Sequence, residues 1–202
     1  PKVAEFEKNF AAFVGAKYCI ATNNGTDALI LALKALGIKN GDEVITVPNS
    51  FYATTGAIVA CGATPVFIDV DPRYQMDAEL LEGAITNRTR AILPVYWGGA
   101  APDMKAMLEI AKKHNLFVIE DAAQSFGSEY KGKKSCNLST IGTTSFFPAK
   151  PLGCFGDGGA VFTNDDELAH TIRGMVNHGM YERYYHDVVG VNSRLDSIQA
   201  AV

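Results

Sequence analysis

Seven short apolar segments, most of them dense in Val, Ile, Leu or Phe, recur along this 202-residue chain. They are YCIAT, EVITV, TPVFIDV, TRAILPV, LFVIEDA, GTTSFF and GAVFTN. Because most lack strict apolar and polar alternation, they are typical of strands that are covered on both faces. Helical stretches near residues 52–60, 77–85 and 103–114 separate the earlier segments, which favours right-handed crossovers between parallel strands. The sequence therefore predicts a three-layer α/β fold, with a mostly parallel seven-stranded sheet and helices on both faces.

Further helices are predicted where periodic apolar residues precede a glycine. One of them ends before Gly15, and another covers residues 25–36 before Gly37. Towards the other end, Ser193 is a plausible cap for a helix that includes the last printed residues. Since a domain seldom ends on an apolar half-helix, we expect the chain to be part of a longer protein.

Composition and charge argue against several classes of function. The formal net charge is −4, and the lysine-rich stretch Tyr130–Lys134 fits a solvated turn, so we expect no nucleic-acid binding. The apolar runs are too short to span a membrane, and the first residues lack the order of a signal peptide. The four cysteines form no CxxC pair, and the four histidines form no ligand-spaced cluster with them. These features predict reduced thiols, a cytoplasmic protein and no metal site.

Residues that directly follow the strands deserve most weight, because open α/β sheets bind ligands at the carboxyl ends of their strands. Asn23–Thr26 form a tight turn into a helix, and the free N–H groups of a helix start suit a phosphate. Taken alone, this turn fits an ordinary helix cap better than a binding site. Phe51 follows EVITVPNS, where an aromatic ring either stacks on a flat ligand or belongs to the core.

Two charged residues also follow apolar strands. Asp121 lies at the end of LFVIED, where a carboxylate is costly without a partner, although an Asp also fits a helix cap. Lys150 follows GTTSFFPA. If its amine is partly withdrawn from water, it can attack a carbonyl. The alternative is a surface lysine whose stem packs on a neighbouring Phe. Gln124 lies one turn after Asp121, and Ser145 offers a hydroxyl to a phosphate.

These residues together fit one cofactor, pyridoxal 5′-phosphate. It needs a lysine for covalent attachment and an acid that keeps its pyridine nitrogen protonated. We therefore predict Lys150 and Asp121 as the catalytic residues, with the glycines after Lys150 allowing the backbone to turn closely past the ring.

Four stretches, NNGTDAL, EDAAQSFG, SFFPAKPLGCFGDGGAVFTND and VGVNSRLDSIQAAV, closely resemble the DegT/DnrJ/EryC1/StrS family of nucleotide-sugar aminotransferases. The resemblance covers the whole chain. It implies a pyridoxal-phosphate enzyme of the aspartate-aminotransferase-like type I fold. Because family proteins are nearly twice as long, residues 1–202 would be an incomplete cofactor-binding large domain, without the N-terminal segment and the small C-terminal domain.

The resemblance also implies roles for individual residues. Lys150 matches the lysine that carries the cofactor, Asp121 the partner of the pyridine nitrogen, and Gln124 the residue against the ring and its O3′ side. The family's phosphate ligands and its stacking aromatic match Gly25, Thr26, Ser145 and Phe51.

Two further matches concern the substrate and the subunit interface. Asn192 matches an asparagine that reaches the phosphate of the neighbouring subunit, which implies a homodimer with a shared active site. Arg194 matches, less specifically, an arginine that faces acidic keto-sugars in some members. Trp97 and residues 177–187 have no assigned role. Trp97 fits packing at least as well as substrate contact, and residues 177–187 fit either the wall of the sugar site or a subunit interface.

The predicted activity is amino transfer, with L-glutamate as the expected donor, to the keto group of a nucleotide-linked sugar. Alternatives are another pyridoxal-phosphate reaction, such as that of a lyase or dehydratase, and a non-catalytic dimeric regulator of the same fold. Retention of Lys150 and Asp121 argues against a regulator, and a sister group of dehydratases carries histidine in place of the lysine. A Rossmann-type nucleotide binder fits less well, because GCFGDGG is not GxGxxG and precedes a strand.

Overall fold

Seven strands form one central sheet in a computed structural model that describes residues 2–202. They are β1 (Tyr18–Thr22), β2 (Glu43–Thr46), β3 (Thr64–Phe67), β4 (Thr89–Ile92), β5 (Phe117–Asp121), β6 (Ile141–Ser145) and β7 (Gly159–Thr163). Their order across the sheet is β1-β7-β6-β5-β4-β2-β3. All pairs from β6 to β3 are parallel, and β7 is antiparallel to both β6 and β1. The predicted mostly parallel seven-stranded sheet is confirmed.

Helices lie around this sheet, most of them in the connections between its strands. The α-helices of the described residues are α1 (Lys2–Val14), α2 (Gly25–Ala35), α3 (Tyr52–Ala60), α4 (Leu81–Ala84), α5 (Met104–His114) and α6 (Asp166–Met175). A short 3-10 turn, Ala78–Leu80, leads into α4. Every helix predicted from residue 25 to residue 114 is therefore present. None of the helices in the described residues is long and apolar enough to cross a membrane.

The last residues differ from the prediction. A helix capped by Ser193 does not form, and the segment contains only a 3-10 turn at Gln199–Ala201. Ser193 is fully buried; its hydroxyl accepts the N–H of Asn23 at 3.1 Å, and its own N–H donates to the carbonyl of Val176 at 3.0 Å. Because both groups are engaged by other parts of the chain, Ser193 joins the turn after β1 instead of starting a helix.

The strand register brings the ends of three strands to one edge of the sheet. Thr22 at the end of β1 is paired with Gly159 at the start of β7, which is paired in turn with Ser145 at the end of β6. Asp121 at the end of β5 is paired with Thr143 on β6. Residues far apart in sequence therefore meet at the carboxyl edge, where the candidate site lies.

Candidate active site

A cavity of about 500 Å³ lies at this carboxyl edge. The predicted site residues on its wall are Gly25, Thr26, Phe51, Asp121, Gln124, Ser145 and Lys150. Asn192 and Arg194 are not on the wall. The structure thus brings together the residues predicted from strand ends and leaves out the two that only the family resemblance indicated.

The start of α2 forms one end of the cavity. Asn24 caps the helix, and its side-chain oxygen accepts the N–H of Asp27 at 2.8 Å. The N–H groups of Gly25 and Thr26 lie at the first helical positions, where backbone donors have no acceptor within the helix. Together with the helix dipole, these donors make this end of the cavity suitable for an anion.

Two glycines allow α2 to lie directly against the sheet. A Cβ on Gly25 would be 2.6 Å from the Cβ and 3.1 Å from the Oγ of Ser145. A Cβ on Gly159 would be 2.6 Å from the backbone carbonyl carbon of Asn24. Any side chain at either position would separate the helix from β6 and β7. The close contact therefore sets the Ser145 hydroxyl beside the free N–H groups of α2.

Asp121 supplies a buried carboxylate on the cavity wall, with only 7% of the residue exposed. Its Oδ2 accepts the hydroxyl of Thr54 at 2.8 Å, and its Oδ1 accepts the N–H of Ala123 at 3.3 Å. Burial raises the pKa of Asp121, and the two hydrogen bonds and the charge of Lys150 offset this only in part. A cationic group placed beside Asp121 would favour its charged form.

Lys150 is half-buried and lies in the loop after β6. Its Nζ donates to the side-chain oxygen of Gln124 at 3.1 Å, so the amine is held against the turn that follows β5. The loop folds back on itself, and a Cβ on Gly153 would lie 2.5 Å from the carbonyl oxygen of Pro148. This crowding is the physical reason for a glycine soon after the lysine.

Aromatic rings line the open side of the cavity. Phe51 is 69% exposed at the N-cap of α3, which rules out the core position that the sequence had left open. Trp97, to which the sequence had assigned no role, is 42% exposed and lies on the wall together with Phe147. A flat ligand in the cavity therefore has ring surface available to it.

Sequence reasoning missed Thr54 and Asp157, which also line the cavity. Thr54 lies three residues after Phe51 on α3, and residues three apart share a helix face, so this spacing was the signal that could have found it. Asp157 lies within the glycine-rich stretch, where no local pattern distinguishes a cavity residue from a turn residue.

Asn192 and Arg194 are both exposed and lie in the segment after α6. Asn192 forms an antiparallel bridge with Asn177, and the guanidinium of Arg194 donates to Oδ1 of Asn177 at 2.9 Å. The nearby segment 177–187 contains a two-stranded hairpin whose Tyr184 and Tyr185 are exposed. These residues form a surface of their own, separate from the cavity wall.

Comparison with known proteins gives the chain a family. Residues 1–202 match the model of the DegT/DnrJ/EryC1/StrS aminotransferase family. A UDP-2-acetamido-2-deoxy-3-oxo-D-glucuronate aminotransferase of Pseudomonas aeruginosa is 59% identical, over 100% of this chain and 56% of the relative. A protein of Geobacillus stearothermophilus named pleiotropic regulatory protein is 50% identical, over 99% of this chain and 54% of the relative.

Solved structures agree with these matches. The structure of DesV from S. venezuelae has a TM-score of 0.97 and 46% identity, and the match covers 100% of this chain and 54% of DesV. The structure of NtdA from Bacillus subtilis, with bound cofactor PMP, has a TM-score of 0.94 and 39% identity, covering 100% of this chain and 46% of NtdA. The chain thus spans about half the length of the relatives it matches. On the family match, the identities and the shared fold, this chain belongs to the DegT/DnrJ/EryC1/StrS aminotransferase family.

Proposed function

We propose that the full-length protein is a pyridoxal-phosphate-dependent aminotransferase that aminates the keto group of a nucleotide-linked sugar. Within it, residues 1–202 form the cofactor-binding large domain. One observation carries the proposal: an amine on Lys150, a buried carboxylate on Asp121 and a helix start suited to phosphate share one cavity. The names of the P. aeruginosa relative and of other family members support the same activity.

The residues of the cavity fit the cofactor. Asp121 forms no ion pair within the described residues, and its pKa is raised by burial, so a protonated pyridine nitrogen would supply the cation that it lacks. Gly25, Thr26 and Ser145 would hold the phosphate with two N–H groups and a hydroxyl, in a cradle that a Cβ at position 25 would fill. Phe51 would stack on the ring.

The side chains of this chain then have distinct tasks. When bound, pyridoxal phosphate supplies a ring that accepts electrons. Lys150, once its amine is free, removes the proton from Cα of the amino donor. Gln124 lies 3.1 Å from the Lys150 amine and holds it at the edge of the cavity. Asp121 keeps a proton at the pyridine nitrogen and so stabilises the negative charge that develops.

Arg194 supports an acidic sugar as the substrate. The guanidinium donates to the neutral side chain of Asn177 and forms no ion pair within the described residues, so its charge is available to a carboxylate. The P. aeruginosa relative is named for a 3-oxo-glucuronate, which carries such a group. We propose a nucleotide-linked keto-sugar with a carboxylate as substrate and L-glutamate as amino donor.

A homodimer and a cytoplasmic location complete the proposal. Asn192 and Arg194 lie off the cavity wall of their own chain, which supports a dimer in which each subunit contributes them to the site of its partner. The four cysteines are unpaired, which is the usual state of thiols in the cytoplasm.

A non-catalytic regulator of the same fold is the second candidate, because one relative is named a pleiotropic regulatory protein. The placement of Lys150 and Asp121 on one cavity favours the enzyme, since a regulator needs neither group there. Detection of an aminated sugar as product separates the proposed activity from both the regulator and a lyase.

The test is an absorbance spectrum of the full-length protein with pyridoxal phosphate, before and after addition of L-glutamate. We expect a band of lysine-bound cofactor that glutamate removes. Lys150→Ala should abolish turnover and covalent retention of the cofactor after borohydride reduction, whereas Lys112→Ala, at an exposed position on α5, should change neither. Near-normal turnover in Lys150→Ala would refute the assignment, and a band that glutamate leaves unchanged would point to another donor or reaction.

A further inference from the structure

We infer that Thr54 is a positioning residue of this site, whose hydroxyl fixes the orientation of the Asp121 carboxylate and favours its charged form. The inference deepens the proposed function and rests on it. Thr54 lies on α3, three residues after Phe51, and is not among the residues predicted from the strand ends.

Three hydroxyl and carboxyl groups form a directed chain of hydrogen bonds. Thr54 is 1% exposed, and its Oγ1 donates to Oδ2 of Asp121 at 2.8 Å. The Oγ of Ser50 lies 2.6 Å from the same Thr54 oxygen. A threonine hydroxyl has only one proton, so if that proton goes to Asp121, Ser50 must be the donor to Thr54. The chain therefore runs from Ser50 through Thr54 to the carboxylate.

This contact determines which carboxylate oxygen serves the cavity. Oδ2 is engaged by Thr54, whereas Oδ1 has only the long contact of 3.3 Å with the N–H of Ala123. Rotating the carboxylate would break the short bond, so Oδ1 keeps the free acceptor capacity. Without Thr54, either carboxylate oxygen could take the place that Oδ1 holds on the cavity side, and the carboxylate would lose its fixed orientation.

The same hydrogen bond acts on the charge of Asp121. Burial raises the pKa of this carboxyl, and the bond from Thr54 is the largest of the contributions that lower it. Lys150, in the loop after β6, also lowers the pKa of Asp121. Cys136 interacts electrostatically with Asp121, and burial raises the pKa of the Cys136 thiol so that it stays neutral. The neighbouring Glu120 carboxylate accepts its hydrogen bonds from other groups. Thr54 is therefore the main uncharged group that lowers the pKa of Asp121.

Thr54 also links the carboxylate to the stacking ring. Phe51 is the N-cap residue of α3, and the N–H of Thr54 donates to the Phe51 carbonyl at 3.2 Å. The first turn of α3 therefore carries both the ring and the group that orients the acid. A helix anchored to Asp121 in this way holds Phe51 at a fixed position on the cavity wall.

The experiment compares Thr54→Val, Thr54→Ser and Thr55→Val in the full-length protein. Thr55→Val is the matched control, because Thr55 is the next residue of α3 but does not line the cavity. Two quantities are measured against pH: the dissociation constant of pyridoxal phosphate, and the NMR titration of the Asp121 carboxyl carbon in cofactor-free protein. The second needs no bound cofactor.

We expect Thr54→Val to weaken cofactor binding about tenfold, as for loss of a hydrogen bond to a charged group. The loss should be greatest at the acidic end of the range, and Asp121 should titrate at higher pH than in the wild type. Thr54→Ser should restore most of both properties, and Thr55→Val should match the wild type. Ser50→Ala, which keeps the Thr54 hydroxyl, should shift both in the same direction by a smaller amount.

Unchanged affinity and unchanged Asp121 titration in Thr54→Val would overturn the inference and leave the proposed function intact. If the wild type itself failed to bind the cofactor, the proposed function would fall, and with it the cofactor part of the inference. The Asp121 titration would then still decide whether Thr54 controls the carboxylate. If Thr54→Val does not fold, the shift in Ser50→Ala decides the question, and its absence would count against the hydrogen-bond chain.

Discussion

Replacing Gly25 with alanine tests whether close contact between α2 and β6 builds the phosphate end of the cavity. The new Cβ would lie 2.6 Å from the Cβ and 3.2 Å from the Cα of Ser145. Carbon atoms in contact are normally separated by about 3.5–4.0 Å, so either α2 or β6 must move by about 1 Å. Neither Ser145 atom is at the end of a flexible side chain, so rotation of a side chain cannot relieve the overlap.

Two effects of opposite sign determine the stability of Gly25→Ala. In a helix, alanine is favoured over glycine by about 0.5–1 kcal/mol. Overpacking at a well-packed contact costs about 1–3 kcal/mol. We therefore expect the free energy of unfolding to fall by about 1–2 kcal/mol. A shift of about 1 Å would also move the free N–H groups out of hydrogen-bond range of a phosphate, so binding of pyridoxal phosphate should weaken about tenfold.

Gly83→Ala is the matched control, because Gly83 also lies in a helix, α4. Apart from its chain neighbours and the backbone of that helix, no atom of the described residues would lie within 4 Å of a Cβ there. Urea denaturation and cofactor titration of both variants give the comparison. Gly83→Ala should raise the free energy of unfolding by about 0.5 kcal/mol and leave cofactor affinity unchanged. If Gly25→Ala were stabilised to the same extent and bound the cofactor normally, the close contact would not be what shapes this end of the cavity.

Two further substitutions probe the charges of the proposed site. Burial raises the pKa of Asp121 in the folded protein above the unfolded value of about 3.9, so ionising this group destabilises the cofactor-free protein as pH rises between the two values. Asp121→Asn should therefore be more stable than the wild type at neutral pH, with the difference disappearing in acid, and it should lose cofactor binding. Denaturation at several pH values measures the difference in stability, and equal stability at neutral pH would contradict the prediction. Arg194→Gln should raise KM for a carboxylate-bearing keto-sugar about tenfold and leave KM for L-glutamate unchanged, since one ionic hydrogen bond is lost; an equal change in both would contradict the assignment.

The sheet was predictable because its strands are buried on both faces and so consist of nearly continuous apolar runs. Val118 and Ile119 of β5 are 1% and 0% exposed, although adjacent strand residues point to opposite faces. The start of α2 was also predictable, because the turn Asn23–Thr26 directly follows β1. The end of the chain was not, because Ser193 is bound by Asn23, 170 residues away, and no local pattern contains that contact.

The cavity residues that could be predicted from the sequence are those that come at or directly after the end of a strand. Asp121, Ser145 and Lys150 each come at or after the end of a strand, and the topology alone brings such positions to one edge. Thr54 was missed because its partner Asp121 is 67 residues away. Its three-residue spacing from Phe51 indicates a shared helix face but not a contact with Asp121. Reasoning from strand ends finds Gly25 and Thr26, because α2 begins directly after the turn that follows β1, but it does not reach Thr54 within α3.

Glu120 and Asp121 show why burial alone does not identify the functional carboxylate. They are neighbours on β5, both are buried, and burial raises the pKa of each. Glu120 accepts five hydrogen bonds, from the hydroxyl of Tyr96, the backbone of residues 136, 138 and 139, and the hydroxyl of Ser139. From residues 2–202, the Asp121 carboxylate accepts two hydrogen bonds, one of them long, and it lies on the cavity wall. The protein fills the acceptor capacity of Glu120, whereas Asp121 keeps capacity for a ligand. This difference in donors supports a structural role for Glu120 and the proposed cofactor-binding role for Asp121.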